Sequence, residues 1–146
     1  MDHVAVASAA AGLAMARGYK DVLVHLDGTA EDEIRIAHAE AIAVRFEARL
    51  TGLHTNILPE IGLYAGEFGG AALGEISDAV RREGDGVQAR LTQRFARLGV
   101  TGEIRRLENF PALLEGEAAT EARWADLFVG SCPYGAAELE RWAPLV

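Results

Sequence analysis

Cysteine is all but absent from this chain: Cys132 stands alone, so no disulfide can form within it. A small secreted fold pinned by bridges is thereby excluded, and the composition fits a reducing cytoplasm. Long apolar runs are missing too, none approaching the ~18 residues that would span a bilayer, so no membrane partner is expected. Basic side chains are scarce, 14 Lys and Arg against 22 Asp and Glu for a net charge of -8. That balance argues against nucleic acid as a partner, because phosphate binding wants a clustered basic face. The two basic pairs, Arg81-Arg82 and Arg105-Arg106, read as solvated faces of a helix or strand.

Common catalytic signatures are lacking as well. There is no GxxxxGK[ST], no GxGxxG after the first apolar run, no GxSxG elbow and no HExxH among the four histidines. A phosphorylatable receiver would want an aspartate after the third strand, where this chain has Asn109.

What is present suits one globular domain: 146 residues, half of them hydrophobic. Residues 1–18 are alanine-rich with no Lys or Arg ahead of the apolar stretch, which disfavours a secretory signal. They read as an extension, with the domain running over 19–146.

Val22-Leu23-Val24-His25-Leu26, bounded by Asp21 and Asp27-Gly28, has the pattern of a parallel strand covered on both faces. The helix after it shows Ala30, Ile34, Ala37, Ala41, Val44 and Ala48 at three- and four-residue steps, the expected inner face. Arg49 to His54 is a second strand, weakened by Gly52. Residues 55–70, with Pro59 and four glycines, predict a long loop with at most a short helical turn. From Ala71 to Leu98 a stripe of Ile76, Val80, Val87, Leu91, Phe95 and Leu98 predicts a helix, with a kink or break at Gly84-Asp85-Gly86. Gly102 to Leu107 reads as a polar edge strand, and Pro111 as the first turn of a helix over 111–124. A strand over 126–130 and a last helix near 136–143 follow. The order predicts an α/β three-layer sandwich on a parallel sheet with right-handed crossovers.

Two stretches, Tyr19 to Thr29 (YKDVLVHLDGT) and Ala125 to Ser131 (ADLFVGS), with Leu50-Thr51-Gly52-Leu53-His54 between them, resemble the first, fourth and second strands of universal stress proteins. The resemblance covers residues 19–143 and lies in the order and spacing of the pieces. It implies a Rossmann-like sheet of the adenine nucleotide α-hydrolase type, in order 3-2-1-4-5, and a cytoplasmic protein with a stress role that pairs into homodimers. Nothing after Val146 can supply the fifth strand, so the expected order is 3-2-1-4. The chain then reads as half of a tandem protein or a truncated domain, with an open edge inviting a partner.

Some members bind ATP where the strand order reverses, the usual place for ligands in open α/β sheets. The resemblance puts Asp27, Gly28 and Thr29 on one wall of that crevice, Gly130, Ser131 and Cys132 on the other, and His54 near it. Nucleotide-binding members carry Gly, two residues, Gly, nine residues, Gly and Ser or Thr after the fourth strand. Here Gly130 is followed by Pro133, which has no N–H to offer a phosphate, and later by Ala143-Pro144. The reading is therefore a non-catalytic binding module without ATP in the usual manner; the alternative is an ATP-dependent switch or slow ATPase. A third reading, an enzyme of the wider nucleotide-binding α-hydrolase-like class, has no visible substrate.

Each residue also has a plainer reading. Asp27 suits a helix cap as well as a ligand contact, and Thr29 a cap or turn. His25 reads as a hydrogen-bonded core histidine, and Cys132 as a packed thiol rather than a nucleophile. Trp124 and Trp142 read as core or interface residues, and Phe68 as a cover for the crevice or a plug.

Overall fold

The computed structural model describes residues 18–60 and 65–130, with backbone alone for 65–69. Its elements are β1 (Asp21–Leu26), α1 (Asp32–Phe46), β2 (Arg49–Ile57), α2 (Ala65–Phe95), β3 (Gly102–Asn109), α3 (Pro111–Ala122) and β4 (Leu127–Val129). The four strands form one sheet in order β3-β2-β1-β4, and every pairing is parallel. The expected order and fold class are both seen.

Alternation along the strands divides the core in two. Val22, Val24, Leu26 and Leu50 pack with Ile36, Ala39 and Ala43 of α1 and with Val87, Leu91 and Phe95 of α2. Leu23 and Leu53 face the other way, onto Ala118 of α3. Helices thus cover both faces, and each large apolar side chain so buried contributes about 1.5–3 kcal/mol. Pro111 opens α3 as expected, at a position whose missing N–H has no partner to lose. Asp126 sets β4 against β1, its carboxylate accepting from Lys20 N at 2.7 Å and its own N–H donating to Asp21 O at 2.8 Å.

Four expectations need correction. The inner face of α1 is Asp32, Arg35, Ile36, Ala39 and Ala43; of the expected stripe only Ala48 is buried, and the rest point outward. The predicted loop over 55–70 is much shorter, because β2 continues to Ile57 and α2 already begins at Ala65. No break interrupts α2 at Gly84-Asp85-Gly86. Gly84 is buried against the sheet, where an added Cβ would come within 2.5 Å of Asn56 and Arg106 side-chain atoms. Those two side chains bond into the helix, Asn56 Nδ2 to Val80 O at 3.3 Å and Arg106 Nη2 to Arg81 O at 3.2 Å. Tertiary contact outweighs the roughly 1 kcal/mol propensity cost of each glycine. Finally, Trp124 is 80% exposed and is no core residue, and Ile76 is half exposed.

Gly52 likewise belongs inside β2, since a Cβ there would lie 2.6 Å from Ile104 and 2.7 Å from Phe95. The expected last helix, Trp142 and Pro133 lie outside the described residues, as do Ser131 and Cys132.

Candidate binding site at the carboxyl ends of the strands

β1 is buried up to Leu26 and then turns sharply. Gly28 takes φ +85°, a left-handed backbone that favours glycine, and it lies against Val87 of α2. Asp27 shapes the turn: its Oδ1 accepts from Thr29 N at 3.0 Å and from Thr29 Oγ1 at 2.6 Å, the pattern of an Asx turn. The N–H groups of Asp27 and Gly28 donate to the Asp32 carboxylate, at 3.1 and 2.8 Å. Arg35 Nη2 lies 2.7 Å from both carboxylates, and the Asp27, Asp32 and Arg35 side chains are 2%, 6% and 7% exposed.

Three consecutive backbone donors, at 27, 28 and 29, are therefore taken by carboxylates of the same chain. Burial pushes the Asp27 carboxyl up, but the bonds from Thr29 and the Arg35 charge outweigh it and hold it below its ordinary range. For Asp32 burial prevails over the N–H bonds and Arg35, and its carboxyl is pushed up.

His25 is buried on the α3 face, its Nε2 2.8 Å from Thr55 Oγ1. His54 is buried on the opposite face, and its Nδ1 has no hydrogen-bond partner among the described residues. Burial lowers both to about 4, helped by Arg35 at His25 and by Arg106 at His54. Both imidazoles are neutral near pH 7.

The expected site residues divide accordingly. Asp27, Gly28 and Thr29 are brought together at the end of β1, and exposed Gly130 directly follows β4. His54 is level with Leu26 on β2, 1% exposed, with β1 between it and β4. Asp32 and Arg35 were missed. Their signal is a charged pair three residues apart just after an Asp-Gly turn, a spacing that sets both on one helix face.

On the α3 face of the sheet, a cavity of about 170 Å³ is lined by His25, Leu53, Ala118, Ala122 and Phe128 among others, and by none of the turn residues 27–29. It is smaller than the 300–1,000 Å³ or so of a typical small-molecule site. A larger, open cavity of about 700 Å³ lies at the amino ends of the strands, beside Lys20, Arg49 and Thr101. Ligands of open α/β sheets sit at the other end.

No family model matches the sequence and no curated protein matches it. Solved structures do. A protein of the universal stress protein family from Burkholderia pseudomallei matches with a TM-score of 0.59 and 28% identity, over 86% of this chain and 90% of that one. The chain is a universal stress protein-like domain. The universal stress protein UspA from Lactobacillus plantarum shares the fold, with a TM-score of 0.58 and 18% identity over 86% of this chain and 92% of that one.

Within this universal stress protein-like domain, the cluster of Asp27, Asp32 and Arg35 stands where the sheet changes direction, β1 having β2 on one side and β4 on the other. Among the described residues no three His, Cys, Asp or Glu side chains group to hold a metal ion, and no helix is long and apolar enough to cross a membrane.

Proposed function

We propose that this domain is a non-catalytic binding module of the stress-response type, cytoplasmic and working as a homodimer, that does not take ATP in the family's usual manner. One observation carries the reading: the turn after β1 is closed on itself. Asp27, the residue that the family resemblance would turn toward the adenine side of a nucleotide, is held by Thr29 and Arg35. Arg35, the cation at this turn, is already shared between the Asp27 and Asp32 carboxylates, so the cluster offers no net positive charge to a phosphate chain approaching the same end of the sheet. Pro133, in place of the second glycine of the phosphate loop, supports the same reading from the sequence.

Isothermal titration with ATP and magnesium tests it. The expected result is no heat up to about 1 mM nucleotide. Micromolar binding that Asp27→Ala abolishes, with the fold intact by circular dichroism, would instead establish the alternative, a nucleotide-gated switch or slow ATPase.

A further inference from the structure

The sequence stripe of Ala30, Ile34, Ala37, Ala41 and Val44 lies on the outer face of α1 and the turn leading into it, with Ile34 61% and Val44 54% exposed. Since the inner face is also largely apolar, α1 is apolar on two opposite sides. The steps of four and three along the outer side are those of a two-helix seam. We propose that this face is where two copies of the chain meet, their α1 helices antiparallel about a two-fold axis near Ala37.

Size and charge both choose that orientation. Antiparallel about Ala37, Ile34 faces the partner's Ala41 and Val44 faces the partner's Ala30, so that each large side chain meets a small one. A parallel pair would set Ile34 against its own copy and leave gaps at the alanines. Glu31 and Arg45 flank the same side of the stripe, and the antiparallel arrangement brings each to the other across the axis. From position 31 to position 45 a helix rises about 21 Å, out of reach within one chain. Arg45 rests 5.8 Å from the centre of the Phe46 ring and has no carboxylate partner among the described residues. On the other flank, Arg94 already holds Glu33 at 3.0 Å and Glu40 at 3.3 Å, so these carboxylates do not face the second copy bare. The contact is self-complementary and closes as a dimer. One short helix against its copy is a small interface of the transient kind.

The proposal takes from the preceding reading only that the chain self-associates; a dimer through the β4 edge would defeat it and leave that reading standing. Sedimentation velocity of the full chain over a concentration series tests it, with Ile34→Lys, Glu31→Arg, Arg45→Glu and the double charge swap. The wild type should associate reversibly, and Ile34→Lys should be monomeric with an unchanged urea midpoint. Each single reversal should weaken association on the order of tenfold, and the double swap should restore it. A dimer untouched by Ile34→Lys overturns the proposal, as does a double swap that stays weak. So does a wild type monomeric throughout, in which case cross-links from residues 1–17 to α1 would show the chain's own amino terminus as the occupant.

Discussion

Two charge clusters close the carboxyl end of the sheet, and they are built differently. At the end of β1 a single guanidinium, Arg35, serves two carboxylates drawn from residues 27–35, and all three side chains are at most 7% exposed. Beneath α2 the partners come from distant parts of the chain. Arg106 meets Asp85 at 2.5 Å and also Glu108, while Arg81 reaches Glu108 at 3.2 Å. There Asp85 is 70% and Arg81 49% exposed, so water reaches the rim of the cluster, while Arg106 and Glu108 are 16% and 24% exposed. The number of ion pairs is similar; the access of solvent is not. Burial decides which cluster depends on every member, because a stranded charge is costly only where water cannot reach it.

Removing the central cation from each cluster should expose this difference most strongly. Arg35→Met strands two buried carboxylates and should lower stability by about 3–5 kcal/mol. Arg106→Met leaves Asp85 in solvent and Glu108 still held by Arg81 and Asn56, and should cost about 1–2 kcal/mol. Urea unfolding of the two variants measures both, and equal losses would break the comparison. Adding Asp27→Asn and Asp32→Asn to Arg35→Met should recover much of the loss if stranded charge, rather than lost packing, is the cause.

A histidine lies beside each cluster, His25 near Arg35 and His54 near Arg106, and both are lowered from 6.5 to about 4. The unfolded chain then takes up protons below pH 6.5 that the folded chain refuses until about 4. Stability from these groups is fully present above 6.5 and is lost as pH falls across that window. At about pH 5.5 the loss is roughly 1.4 kcal/mol for each histidine. Asp32, with its carboxyl pushed up, contributes in the opposite sense over the acid part of the range. Urea midpoints between about pH 7.5 and 5.5 read the sum. His25→Gln and His54→Gln should each remove about half of the slope; a slope that survives both substitutions would place the titration elsewhere.

The sheet was legible because its signals are local. The apolar run of β1, the polar β3 and Pro111 each report on their own segment, and the strand order followed from the family resemblance. The site was half legible. Asp27, Gly28 and Thr29 stand at a strand end, where the turn itself announces them. Asp32 and Arg35 were hidden because hydrophobic periodicity ranks apolar residues and passes over a buried charge that is tolerated only through its partners. For the same reason the inner face of α1 was assigned to the opposite side, where Ile34 and Val44 made the stronger stripe. Gly84 misled by propensity: its reason for being glycine lies on β2 and β3, at Asn56 and Arg106, which no local window contains.

The smallest expected effects come from the glycines of α2, and here the sign is informative. An alanine at Gly86 meets only Arg90 Nη1, at 3.9 Å, so Gly86→Ala should stabilise by up to about 1 kcal/mol through helix propensity alone. The same gain is available at Gly84, but there the new methyl carbon would lie 2.5 Å from Asn56 Nδ2 and Arg106 Nη2. Both side chains would have to leave the helix carbonyls they bond, and the net effect should be a loss of about 1 kcal/mol. Thermal unfolding of the two variants resolves the difference in sign. If Gly84→Ala also stabilises, Arg106 can move without cost, and the cluster beneath α2 is an adjustable surface network whose contrast with the closed cluster at β1 is greater still.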